Sequence, residues 1–141
     1  MRESTRNKII KFLVLFVIGG IIYYCIELGF RGYSFLLMAI CGGLAFVSVG
    51  YINEFIPWEI PIIIQSIFSS FVIMFWELTF GLIFNTNHQM WDYTNLPFNY
   101  KGQICLYFGI IWCFVGCFAI ILDDYLRYWI FGEEKPHYKL F

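Results

Sequence analysis

Charge is scarce in this sequence: 13% of its 141 residues are Asp, Glu, Lys or Arg, against 60% that are hydrophobic. A soluble domain of this length must present much of its surface to water and could not hide so much apolar area. Lipid is the solvent that fits, and the mean hydropathy of +0.71 agrees. A net charge of -1 offers no basic footprint, so nucleic acid is not an expected partner. No Gly-x-x-x-x-Gly-Lys-Ser/Thr segment occurs, so the chain cannot itself be an ATPase of the phosphate-loop kind. Cys-x-x-Cys is missing too. The five cysteines, Cys25, Cys41, Cys105, Cys113 and Cys117, are odd in number and lie in or beside apolar runs. They read as small buried apolar residues rather than disulfide partners or metal ligands. His88 and Asp92 stand four apart with no third ligand nearby, so no metal site and no cofactor is expected.

What is abundant is apolar run after apolar run, and aromatic residues, which make up 23% of the chain. Four spans of about the length a bilayer requires are predicted at 9–28, 33–52, 61–84 and 104–122. The expected class is an all-α polytopic membrane protein, a single membrane domain over 1–141. The first span follows a basic start, but no small-x-small cleavage site follows it, so it reads as retained rather than as a removed signal. Glu27 and Arg31 close it; on a continuing helix they share a face in the favourable order for an ion pair, either a snorkelling pair at the interface or a functional one. In the second span Ala39 and Gly43 are four apart, as are Cys41 and Ala45. In the fourth, Cys105, Gly109, Cys113 and Cys117 repeat every four residues. Small residues at that spacing let helices approach closely, and they predict self-association through these two spans. The fourth span is expected to end near Leu122, with Asp123-Asp124-Tyr125-Leu126-Arg127-Tyr128-Trp129 marking its exit and a short loose tail from Gly132.

Two features carry chemistry. Ser66, Ser70, Ile73 and Glu77 fall on one stripe of the third span, with Glu77 about two turns before its end. An ionised carboxylate among apolar residues is expensive, so Glu77 should face the bundle interior. It serves either a substrate pathway or a structural hydrogen bond; Arg31 is its favoured partner, with Asn85 and the Trp91-Asp92-Tyr93 turn completing the hydrogen bonding from above. The second feature is the break 85–103, which includes Trp91-Asp92-Tyr93-Thr94-Asn95-Leu96-Pro97-Phe98-Asn99-Tyr100-Lys101-Gly102-Gln103. So long a loop is functional or disordered, and its aromatic content argues for an ordered cap at headgroup depth. Asp92, Asn95 and Asn99 can accept from loop or helix-end N–H groups.

Lys and Arg number four in residues 1–11 and three from Arg127 onward, whereas Arg31 and Lys101 alone fall on the opposite side. This bias predicts both termini in the cytoplasm, and the chain reads as an integral protein of a bacterial plasma membrane. The cap, the Glu27/Arg31 end and the Glu77 end then meet on the outer side. The candidate cluster is Glu27, Arg31, Glu77, Asn85, Trp91, Asp92, Tyr93, Asn99 and Gln103.

Those residues also carry a resemblance. Glu27, Arg31-Gly32, Glu77, Trp91-Asp92-Tyr93, Pro97-Phe98-Asn99 and Gly102-Gln103-Ile104-Cys105-Leu106 resemble the CmpB-type family of small membrane proteins. That family is labelled "putative ABC-transporter type IV" and is related to a group of eukaryotic transmembrane proteins. The resemblance covers residues 20–122 and is most specific at 91–106. Gln103 stands where a basic residue is expected more often, and Thr94 where Ser is, which speaks against an anion site after Gly102. The resemblance implies a permease-like transport component with no catalytic residues to carry over.

Three functions follow as expectations. The first is a transport component, acting as a homo-oligomer or beside a separate ATPase subunit. The second is a structural or assembly protein whose polar cluster holds helices together. The third is a membrane enzyme using Glu27, Glu77 or Asp92 as acid or base, against which stands the lack of any nucleophile, metal or nucleotide motif.

Overall fold

The computed structural model describes residues 5–32, 35–57 and 59–138, and all their side chains except Phe30, Arg31, Asn53 and Glu54. The side chain of Arg31, expected to meet Glu77, therefore lies outside the described residues, as does Tyr33 at the expected start of the second span.

The described residues form four helices: α1 (Thr5–Arg31), α2 (Leu36–Phe55), α3 (Ile62–Phe84) and α4 (Leu106–Phe131). A two-strand antiparallel ladder, β1 (Asn99–Tyr100) with β2 (Ile104–Cys105), lies in the connection before α4. The protein is all-α and polytopic. Three of the helices, α1, α3 and α4, are long and apolar enough to cross a bilayer by themselves, and α2 adds the shorter apolar stretch Leu36–Ile52. Large side chains that point outward, such as Phe55, Phe71, Phe75 and Phe114, are apolar, as lipid-facing residues must be.

Local chemistry sets the helix ends. α1 stops at Gly32, whose φ of 76° needs no Cβ, and its N–H returns to the Leu28 carbonyl at 2.9 Å. Pro61 precedes α3, where its missing N–H costs nothing. α4 is capped at its start by Cys105, whose sulfur accepts from Phe108 N, and at its end by the left-handed Gly132.

α1 packs along α2 and α3 along α4, and α2 joins the two pairs. The small residues make these approaches possible. A Cβ on Gly20 would meet the Ala39 carbonyl oxygen at 2.8 Å, and one on Gly43 the Phe16 carbonyl oxygen at 2.8 Å. On the other pair, a Cβ on Gly109 would meet Met74 Sδ at 2.9 Å, and one on Gly116 would strike Ser69 Oγ. The seams of α2 and α4 that predicted self-association are thus occupied by α1 and α3 of the same chain, and they carry no argument for a second copy. Ser70 adds a hydrogen bond across the second seam, its hydroxyl donating to the Gly109 carbonyl at 2.6 Å. Trp76 Nε1 donates to Ser48 Oγ at 2.9 Å and ties α3 to α2. Leu15, Phe46 and Val47 centre one apolar core, and Val49, Ile62 and Ile120 another.

α4 runs nine residues past the end expected at Leu122. Asp123, Asp124 and Arg127 looked like an exit into water, but all three are buried. Arg127 Nε bonds Asp123 Oδ2 at 3.0 Å one turn away, so the helix continues through charges that are paired within the protein. The described part of the tail, 132–138, is held to the bundle, where a loose segment was expected. Lys11 bridges Glu133 at 2.6 Å, and the Tyr138 hydroxyl donates to Asp124 Oδ2 at 2.7 Å. Burial and that carboxylate hold the Tyr138 phenol well above its ordinary pKa. The start of α1 and the end of α4 therefore share one end of the bundle.

Candidate functional site

At the opposite end α3 gives way to the cap. Asn85 follows the last turn of α3 and is completely buried. Its side-chain oxygen accepts from Met90 N at 2.8 Å, and its Nδ2 donates to the Trp91 carbonyl at 2.7 Å and to Gln103 Oε1 at 3.0 Å. Gln103 returns a bond from Nε2 to the Asn85 carbonyl at 3.0 Å, and Trp91 Nε1 donates to the Gln103 carbonyl at 2.9 Å. Gln103 both donates and accepts here, which a basic side chain could not do. It fits against Gly81, where any Cβ would strike its amide. Gly102 has φ 69° and lies against Thr94 and His88, so only glycine fits there. Asn99 closes the turn, its Nδ2 donating to the Leu96 carbonyl at 2.8 Å and its Oδ1 accepting from Gly102 N at 3.0 Å. The cap is ordered because its backbone groups find partners within it.

This latch holds Tyr93 over the bundle. The Tyr93 ring stacks on Phe108 of α4, with centroids 4.7 Å apart, and its hydroxyl donates to Glu77 Oε1 at 2.6 Å. Burial, and then the Glu77 carboxylate, push the Tyr93 phenol far above its ordinary pKa. Trp112 Nε1, from α4, donates to Glu77 Oε2 at 2.9 Å. Glu77 is 7% exposed, so α3, α4 and the cap meet at one carboxylate. Tyr23 of α1 packs against Trp112 at 6.5 Å between ring centroids.

The expected cluster is thus divided. Glu77, Tyr93 and Trp91 come together, with Glu27 across from them on α1. Asn85, Gln103 and Asn99 hold the cap but do not face the same space. Asp92 is exposed and is occupied by Thr94 N at 2.9 Å, a bond that keeps its carboxyl below the usual range. Arg31, the cation expected at Glu77, has its side chain outside the described residues; the described residues that bond Glu77 are the neutral donors Tyr93, from the turn expected above it, and Trp112. Lys101 lies over the Tyr100 ring on the exposed side of the cap. Sequence reasoning missed Trp112, Tyr23 and Phe108. The available signal for Trp112 was its place on the same face of α4 as Gly109 and Gly116, three and four residues away.

Beneath the cap is a cavity of about 420 Å³. Tyr23, Glu27, Glu77, Trp91, Tyr93 and Trp112 line its outer part. It continues between α1, α2 and α4 past Ala45, Phe46, Val115 and Phe118 to Leu122. Trp112 and Leu122 are ten residues apart, about 15 Å along α4. Among the described lining residues there is no Lys, Arg or His. Chemically the space offers a long apolar wall, aromatic faces and carboxylate oxygens at one end.

A family model described as "Putative ABC-transporter type IV" matches residues 3–132. The chain belongs to this CmpB-type family. The match spans α1, the cap and all of α4, so in this family member the site just described falls wholly within the matched region. No curated protein matches the chain, and no solved structure does.

Proposed function

We propose that the protein is a permease-like membrane component of a transport system, without an enzymatic activity of its own. The observation that carries this reading is the cavity under the cap, which is of ligand size and has Glu77 at its polar end. An intramembrane carboxylate facing a cavity is characteristic of substrate and ion pathways. The family's description points the same way. The excess of Lys and Arg near both termini supports a cytoplasmic position for them and an outer position for the cap. Four helices are few to enclose a complete pathway, so the working unit is a homo-oligomer, a complex with a separate ATPase subunit, or both. The enzyme alternative loses Asp92, which does not line the cavity.

A structural role is the second reading, favoured by the way both Glu77 oxygens are taken by donors from two other elements. One comparison separates the two. Cells lacking the chain should differ from cells carrying it in the uptake or efflux of one class of small molecule. Glu77→Gln protein present at wild-type level should not restore the difference. Identical small-molecule profiles with and without the chain would overturn the transport reading, and full restoration by Glu77→Gln would favour the structural one.

A further inference from the structure

The chemistry of the cavity narrows what it can hold. An anion would meet Glu77 and Glu27 with no Lys, Arg or His among the described lining residues to receive it. A calcium ion takes six to eight oxygen ligands and magnesium an octahedron of them, whereas most of this lining is hydrocarbon and aromatic. A wholly apolar guest would leave the charge of Glu77 balanced by no described cation, its oxygens having only the neutral donors Tyr93 and Trp112. A cation would supply the missing charge, and since each oxygen accepts only one bond of the about four a carboxylate can take, an ammonium bearing N–H can add a hydrogen bond while a quaternary one is held by charge alone. The rings of Tyr23, Trp91, Tyr93 and Trp112 stand around the same end, and the faces of such rings attract a cation, most strongly where water is excluded. Behind them the cavity runs on as an apolar channel to Leu122.

We propose that this cavity binds a monovalent organic cation, an ammonium group on an elongated apolar body, with the ammonium at Glu77 among the aromatic rings and the body extending toward Leu122. The proposal rests on reading the cavity as the cargo site, but it is tested by binding alone, so its failure would leave a transport role for other cargo standing. The same chemistry is offered by a free lipophilic amine and by the choline head of a phospholipid. The free cation is the occupant we assign, because the phosphate of a lipid head would be brought close to Glu77 and Glu27.

The probe is radiolabelled decyltrimethylammonium, titrated onto the full chain in nanodiscs of a neutral, amine-free glycolipid, with empty nanodiscs subtracted. Saturable binding is expected, unaffected by decyl sulfonate and weakened at least tenfold by Glu77→Gln, whose folding is checked by thermal melting. Val115→Phe fills the apolar part and leaves the Glu77 donors in place. It should weaken the decyl probe while sparing a short-chain trimethylammonium. Undiminished binding in phosphatidylcholine nanodiscs supports the free cation; loss of binding there gives the site to the lipid head and overturns that assignment. No saturable binding in the glycolipid, equal affinity in wild type and Glu77→Gln, or competition by decyl sulfonate would overturn the proposal entirely. Equal weakening of short and long probes by Val115→Phe would overturn the placement of the body.

Discussion

Removing the Glu77 side chain should destabilise the protein through the donors it leaves behind, and the geometry says how. Tyr93 and Trp112 donate to separate oxygens of one buried carboxylate. In Glu77→Ala both lose their acceptor. A buried donor left unpaired costs about 1–3 kcal/mol in water-soluble proteins. In a bilayer the unfolded chain finds other partners, and measured side-chain hydrogen bonds between helices average about 0.6 and reach about 1.7 kcal/mol. Two bonds lost together should therefore cost about 1–3 kcal/mol. Glu77→Gln should behave differently. Its oxygen can accept from Trp112, and its amide can donate to the Tyr93 hydroxyl, which accepts as well as it donates. The change then removes the charge and little else, about 1 kcal/mol or less. The Trp112→Phe background separates the bonds: with no indole N–H to strand, Glu77→Ala should cost about 0.6–1.7 kcal/mol less than it does in the wild type. Reversible unfolding in mixed micelles, followed by far-UV circular dichroism, measures all four corners of the cycle. Equal costs for Glu77→Ala and Glu77→Gln, or a coupling to Trp112 indistinguishable from zero, would refute the reasoning.

Asn85→Ala should loosen the cap while leaving the helices formed, because Asn85 bonds Met90, Trp91 and Gln103 but no residue of another helix; faster amide exchange at residues 90–103 with unchanged helicity is the expected result, and unchanged exchange would contradict it. The turn at Asp92 should be acid-sensitive. Its carboxyl is held below the ordinary value by Thr94 N–H, so its contribution is present above about pH 3.9 and is lost as the pH falls through the lower folded value. Exchange at Thr94 should quicken on that descent in the wild type and show no such step in Asp92→Asn.

The sequence by itself determined the solvent, the class and the number and order of the helices. Hydropathy is a local property, and a chain this apolar must satisfy its backbone internally, which in lipid favours helices. An ordered cap followed from aromatic residues in a long break. Glu77 was legible as an inward residue because a carboxylate at that depth has nowhere else to go. Of the donors that bond it, the turn holding Tyr93 was legible and Trp112 was not. Which donor reaches a carboxylate depends on how far each helix is rotated and where it crosses its neighbour, and those are set by contacts distant in sequence, such as Gly116 against Ser69 and Gly109 against Met74. The same long-range packing turned Asp92 away from the cavity and used the small-residue seams inside the chain. It also carried α4 on through Asp123 and Arg127, because a charged pair that looks like the end of a span in sequence becomes an interior bond once α1 and the tail close around it.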